Sequence, residues 1–349
     1  MKIEKKTIDS PHGEISLFTI VNKSGASVEL SSLGAGIVAV RVPDKDGKIE
    51  NVALSYADPA DYMADGPCMG KIPGRYANRI AKGHLEIDGK TYQLNINNGP
   101  NALHGGPTGF QNHIWDADII PNGVKFTYKA KDGEENYPGN LTAVAEYRWS
   151  DDNVLTLKLN AESDAPTVIN LTNHAYFNLE GADAGNVLSH KMKIKASRYL
   201  PTDSTQIPTG EMAPVKGTPM DFVEFKEIGK DIQADFEALK IGKGYDHCWI
   251  IDGWEKGKLV EEAVVLESPH SGRVLTVSST QPGVQIYTGN WLSGSPVNCS
   301  GKSYEDYDGV AIEMQGFPDA PNKSEFPAQE LRPGEKYEEI IRFAFSVEK

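Results

Sequence analysis

Apolar and polar residues alternate with a period of two along most of this chain. Val124, Phe126 and Tyr128 interleave with Lys125, Thr127 and Lys129, and Leu155, Leu157 and Leu159 with Thr156, Lys158 and Asn160. Strict alternation marks half-buried strands, because successive side chains of a strand point to opposite faces. The breaks between runs carry turn residues: Asp88-Gly89 between HLEI and KTYQL, Asn122-Gly123 before VKFTY, and Asp151-Asp152-Asn153 before VLTLKL. Such dipeptides accept the positive φ of tight hairpins. The pattern resumes in KMKIKA, EEAVVLES, GRVLTVSS, GVQIYTG, GVAIEM and EEIIRFAFSV, so strands recur to the end. Helix is expected only in DIQADFEALK, residues 231–240, with a turn or two in SYADPADYMADG. No Pro/Ser-rich linker, composition shift or fixed-period repeat divides the chain, which predicts one all-β domain of packed antiparallel sheets.

Composition narrows the function classes. A chain of 349 residues with 39% hydrophobic residues can bury a sizeable core. A formal net charge of -14 opposes nucleic acid phosphates and anionic membranes, so neither is an expected partner. The charge is compatible with a neutral small-molecule ligand. Cys68, Cys248 and Cys299 are widely spaced and form no CxxC, which fits reduced thiols. Neither an apolar signal core nor an 18-residue apolar run is present, so a cytoplasmic location is the expectation. The oligomeric state is not legible in the sequence.

The densest chemistry is in NLTNHAYFNL, residues 170–179. His174 titrates near neutrality, and Asn170, Thr172, Asn173, Tyr176 and Asn178 offer donors and acceptors to fix its ring. A core histidine satisfied by polar neighbours has the same signature. GRYANRI, residues 74–80, sets Arg75 and Arg79 beside Asn78; arginine suits bidentate recognition of oxygen-rich groups and equally suits a structural ion pair. His104 lies in the Gly- and Pro-rich loop PNALHGGPTGF, where backbone can approach a ligand closely. That loop carries neither GxGxxG nor a GK[ST] phosphate cradle. Asp246 precedes an apolar strand start in GYDHCW, where an aspartate is also an ordinary turn residue, and Gln285 sits among apolar residues in TQPGVQIYTGN. In DGVAIEMQGFPDAPN, alternation puts Val310 and Ile312 on one face and Ala311 with Glu313 on the other. A carboxylate between Ile312 and Met314 is costly unless paired or placed in a cleft. HExxH and GxSxG are absent, and the histidines do not cluster at ligand spacing, although Asp246-His247 with a further histidine stays open as a metal site.

Taken in order, GRYANRI, LHGG, NLTNHAYFNL, GYDH, QPGVQIYTGN and IEMQGFPDAPN resemble the galactose mutarotase, or aldose 1-epimerase, family over nearly the whole chain. The resemblance implies a large antiparallel β-sandwich with little helix, the galactose mutarotase-like supersandwich, over residues 1–349. It also implies an isomerase that interconverts the α and β anomers of free aldohexoses such as galactose and glucose. By resemblance Glu313 is the general base and His174 the general acid, with His104 assisting at the ring oxygen. Asn78, Arg79, His104, His174, Tyr176, Asp246 and Gln285 correspond to substrate contacts. Ring opening removes a proton from the anomeric hydroxyl while one is added to the ring oxygen, so an ionised carboxylate and a protonated imidazole suffice; no cofactor and no metal are expected. Trp291 or Phe317 could supply an aromatic wall for the sugar. Tyr76 and Met314 depart from the family pattern, which bears on specificity. Three other readings remain: a sugar-binding protein without turnover, a hexose-6-phosphate 1-epimerase, and a glycoside hydrolase using Asp246 and Glu313.

Overall fold

The computed structural model describes residues 1–348. Antiparallel sheets dominate, and three carry the architecture. A five-stranded meander runs in chain order from Lys2–Ser10 through Gly13–Val21, Ser27–Ser31 and Gly36–Pro43 to Ile49–Asn51. A nine-stranded sheet begins with Asp116–Ile120, Gly123–Ala130, Leu141–Trp149 and Val154–Ser163. The C-terminal strand Tyr337–Val347 pairs next, followed by Arg273–Ser279, Val260–Glu267, Lys191–Ile194 and Lys226–Glu227. The third sheet has six strands in the order Tyr176–Phe177, Val310–Gln315, Gly283–Tyr287, Asp246–Ile250, Arg198–Leu200 and Ala213–Pro214.

The core lies where inward faces of these sheets meet. Leu155, Leu157, Leu159, Ile341 and Phe343 of the nine-stranded sheet join Trp249, Val284, Ile286, Val310, Ile312 and Met314 of the six-stranded sheet in one apolar cluster. Phe18, Ile20, Val28 and Val40 of the meander close it from the other end. This face-to-face packing makes a β-sandwich, as the family resemblance implies; alternation by itself predicts only packed antiparallel sheets. Each of the three leucines is fully buried, and truncating any one to alanine removes roughly 2–5 kcal/mol of stability.

The hairpins fall where the turn residues put them. Residues His84–Ile87 pair with Lys90–Gln93 across Asp88-Gly89, and Leu141–Trp149 pairs with Val154–Ser163 across the 151–153 turn. The one α-helix among the described residues is shorter and later than residues 231–240: it spans Glu237–Gly242. Its start is displaced because Asp231 is engaged by the Lys226 ammonium at 3.0 Å and its carbonyl accepts from the Ala234 amide in a turn. Phe236 keeps an extended conformation at the N-cap. Lys243, at φ 56, ends the helix and leads into Asp246 at the start of its strand. The segment SYADPADYMADG contributes the single 3₁₀ turn Pro59–Tyr62. Among the described residues, no helix is long and apolar enough to cross a membrane.

Candidate active site

Three neighbouring strands of the six-stranded sheet set one wall of a cleft. Gln285 lies opposite both Cys248 and Glu313, and Asp246 and Ala311 both lie opposite Tyr287. With a period of two, these residues share one face, while Trp249, Val284, Ile286, Ile312 and Met314 share the other and enter the core. The sequence alternation around Glu313 therefore holds: Val310 and Ile312 are core residues and Glu313 faces the cleft. Tyr176, paired through Ala311, extends the wall toward His174.

The cleft encloses about 370 Å³ and is lined by Asn78, Arg79, Asn98, His104, His174, Tyr176, Gln206, Asp246, Tyr287, Trp291 and Glu313, among others. His174 Nε2 stands 3.4 Å from Glu313 Oε1, and both side chains are almost wholly buried, at 6% and 2% exposure. Glu313 Oε2, His174 Nδ1 and Gln285 Oε1 are buried without any hydrogen-bond partner. Buried polar atoms are rarely left so, and Glu313 and His174 both line the cleft, as a site for a hydroxyl-rich ligand requires; Gln285 neighbours Glu313 in the sheet but lies outside the cleft lining. A larger cleft of about 640 Å³ lies beneath Lys6, Arg41 and Glu50, but no histidine lines it and no such unpartnered atoms converge there.

The imidazole of His174 is held by packing. Its ring sits 5.0 Å from Tyr176, 5.4 Å from His104 and 6.3 Å from Tyr287, centroid to centroid. The polar neighbours expected to fix the ring do something else. Asn170 donates to the Ala77 and Gly316 carbonyls, Asn173 to the Gly70 carbonyl, and Asn178 to the Gly185 and Asp308 carbonyls. They clamp the irregular backbone that carries the histidine. The His174 amide donates to the Lys71 carbonyl at 2.9 Å, and the Gly70 amide to the His174 carbonyl at 2.9 Å. The segment supplying those groups is anchored by a buried ion pair, Lys71 Nζ to Asp65 Oδ1 at 2.5 Å.

Asn78 and His104 come together through the short ladder of Arg79–Ile80 with Ala102–Leu103. Both adopt positive φ, 65° and 52°, a conformation that costs a non-glycine residue roughly 1 kcal/mol or more and tends to occur at functional sites. The Asn78 amide donates to His104 Nδ1 at 3.1 Å. An accepting Nδ1 places the ring proton on Nε2, so His104 is a neutral donor. Burial, with the nearby His174, Arg79 and Lys71 charges, holds its pKa well below the ordinary histidine value.

Electrostatics alter one expectation. Burial, reinforced by the Asp246 carboxylate, pushes Glu313 well above the usual carboxylate range against the opposing pull of Arg79. Burial lowers His174 to about 4. The ionised carboxylate and protonated imidazole are thus both disfavoured, because burial strips each charge of solvation. When the pair holds a single proton, these opposite shifts favour it on the glutamate side.

Arg75 and Arg79, adjacent on paper, part company. Arg75 Nη1 donates to the Pro138 carbonyl at 2.6 Å and to Thr167 Oγ1 at 3.1 Å, away from the cleft. It is structural, though through a carbonyl and a hydroxyl and not through an ion pair. Arg79 lines the cleft, with Nε on Asn98 Oδ1 at 3.0 Å and Nη2 on Gln206 Oε1 at 2.6 Å. Asp246 accepts from Gln285 Nε2 and Gln206 Nε2, each at 2.7 Å. Trp291 stands at the rim, 65% exposed, under the Lys243 ammonium at 4.3 Å. Phe317 packs in a separate apolar cluster instead, and Tyr76 and Met314 are also buried off the cleft. His247 faces away from Asp246, its Nδ1 accepting the Asp246 amide, and no group of three metal-ligating side chains occurs among the described residues.

Six lining residues are not among the candidates singled out from the sequence: Gly66, Pro67, Asn98, Leu103, Gln206 and Tyr287. Tyr287 was available, two positions beyond Gln285 and hence on the same face. Leu103, at the end of the strand Ala102–Leu103, directly precedes His104, whereas Asn98 and Gln206 carry no local signal, because loops deliver them.

A family model described as aldose 1-epimerase matches residues 16–344. The chain is 42% identical to the galactose mutarotase of Homo sapiens over 320 residues, 92% of this chain and 91% of that protein. It is 38% identical to the aldose 1-epimerase of Escherichia coli (strain K12) over 335 residues, 95% of each. Among solved structures, the galactose 1-epimerase from Lactobacillus acidophilus NCFM superposes with a TM-score of 0.87 at 29% identity, covering 100% of both chains. Likeness along the whole sandwich, at such identity over nine-tenths of the sequence, is shared descent: this chain belongs to the aldose 1-epimerase family.

Proposed function

We propose that the cleft binds a free aldohexose, such as galactose or glucose, and interconverts its α and β anomers, with Glu313 and His174 as the proton carriers. The observation that supports this most strongly is the buried carboxyl and imidazole 3.4 Å apart, each with an unpartnered polar atom, in the lining of a cleft of monosaccharide size. Sugar hydroxyls entering the cleft supply hydrogen bonds to the Glu313 carboxylate. The proton shared by the pair then moves to His174 Nε2. Glu313 takes the proton of the anomeric hydroxyl, His174 delivers one to the ring oxygen, and the bond between C1 and the ring oxygen breaks to give the open aldehyde. Rotation about C1–C2 presents the other carbonyl face. Reclosure reverses both transfers and returns the pair to its starting state, so protons and electrons balance without an external reactant.

Around the reacting atoms, Asn78, Arg79, Asp246 and Gln285 hold hydroxyls, and neutral His104 donates from Nε2 as an assistant at the ring oxygen. Among the described residues, Arg79 is the one arginine lining the cleft, which suits a neutral sugar better than a phosphorylated one. Both Asp246 oxygens are already hydrogen-bonded to amides, an arrangement that suits an acceptor for hydroxyls better than a glycosidase nucleophile. The test is the optical rotation of freshly dissolved α-D-galactose: the protein accelerates its approach to equilibrium, and a trace that matches the uncatalysed rate overturns the reading.

A further inference from the structure

Gln206 joins two of the sugar-contacting side chains, and nothing in its local sequence marks it. Its Oε1 accepts from Arg79 Nη2 at 2.6 Å while its Nε2 donates to Asp246 Oδ2 at 2.7 Å. Arg79 and Asp246 themselves stand 3.8 Å apart, beyond hydrogen-bond distance. Adding Arg79 Nε on Asn98 and Asp246 Oδ1 on Gln285 makes a continuous belt: Asn98, Arg79, Gln206, Asp246, Gln285.

The loop carrying Gln206 is built to present it. Asp203 Oδ1 accepts from the Thr205 and Ile207 amides at 2.7 and 3.2 Å, and the Thr205 carbonyl accepts from Asn101 at 3.2 Å. Gln206 itself sits at φ 63, a region that favours glycine, so a long side chain is kept there against backbone preference. A guanidinium and a carboxylate in a partly desolvated cleft attract each other and, left alone, close into a direct two-pronged pair. That pair would use the donors and acceptors that sugar hydroxyls need.

We infer that Gln206 is a positioning residue that determines sugar affinity and selectivity: its amide is a neutral spacer holding Arg79 and Asp246 apart, so that each keeps a free hydrogen-bonding site for a substrate hydroxyl. The inference rests on the reading of this cleft as the aldose site. Two variants test it. Gln206→Met keeps the length and removes the amide; Gln206→Gly removes the side chain but suits the backbone at φ 63, so the loop is retained. Both raise KM for galactose roughly ten- to a hundredfold, the scale of hydrogen bonds to charged groups, with kcat within about threefold because Glu313 and His174 are untouched. The ratio of kcat/KM for galactose to that for glucose, sugars that differ at one hydroxyl, shifts by more than about threefold. In a crystal structure of Gln206→Gly, Arg79 and Asp246 close to direct hydrogen-bond distance. Unchanged KM and unchanged selectivity in both variants, or a loss confined to kcat, overturn the inference while leaving the aldose site standing. A wild-type protein that turns over neither sugar brings down the site assignment, and this inference with it.

Discussion

Replacing Glu313 with glutamine isolates the base from everything else the cleft does. The side chains are nearly isosteric, and position 313 lies in the middle of the strand Val310–Gln315, flanked by buried Ile312 and Met314, so the sheet does not rearrange. The variant loses a group able to take a proton. A well-placed general base contributes about 10²- to 10⁴-fold, roughly 3–5 kcal/mol of barrier at 1.36 kcal/mol per factor of ten. Arg79, Asp246, Gln285, Asn78 and His104 remain, so KM stays within about threefold. Stability moves the other way. Because burial raises the Glu313 pKa above its unfolded value, the folded state holds its proton where the unfolded state has released it. The penalty is absent below about pH 4.5 and grows as pH rises toward the folded pKa. Glutamine removes it, so Glu313→Gln melts no lower than wild type at pH 7, and its advantage narrows toward pH 4. Polarimetry of fresh α-D-galactose with no added metal, beside a thermal melt at each pH, measures both. A variant that retains more than about a tenth of wild-type kcat/KM, or one that is markedly less stable at neutral pH, would refute the assignment of Glu313 as a buried base.

The pH profile of kcat/KM tests the shared proton: with His174 lowered to about 4 and Glu313 raised, the one-proton state spans a wide window. Activity, corrected for the blank reaction, should fall below about pH 4 as a second proton blocks the base, and again as pH rises through the raised Glu313 pKa and the pair loses the proton it shares. A profile that falls only at the ordinary carboxylate value and stays flat through alkaline pH contradicts this. The two arginines separate by assay. Arg75→Met, which strips the hydrogen bonds to Pro138 and Thr167, costs about 1–3 kcal/mol in urea unfolding with KM for galactose within about twofold; a large KM effect without loss of stability would return Arg75 to the cleft.

Alternation alone determined the strands, their hairpin turns, the all-β class and the side of its strand on which Glu313 sits, because a period of two is a local property that needs no partner. The motif resemblance went further and singled out residues that do line one cleft: Asn78, Arg79, His104, His174, Tyr176, Asp246 and Glu313. Tertiary structure decided the rest. The strand Tyr337–Val347 inserts between Val154–Ser163 and Arg273–Ser279, pairing with the first across more than a hundred residues and with the second across more than sixty, which no local pattern encodes. Whether an arginine of GRYANRI is structural or ligand-facing depended on what Pro138, Thr167, Asn98 and Gln206 bring to it from elsewhere. The asparagines around His174 proved to satisfy backbone carbonyls, since a chain leaving strand geometry exposes such groups and must pair them. Most of all, the charge states of Glu313 and His174 follow from burial, which is a property of the assembled sheets and absent from either residue's neighbours in sequence.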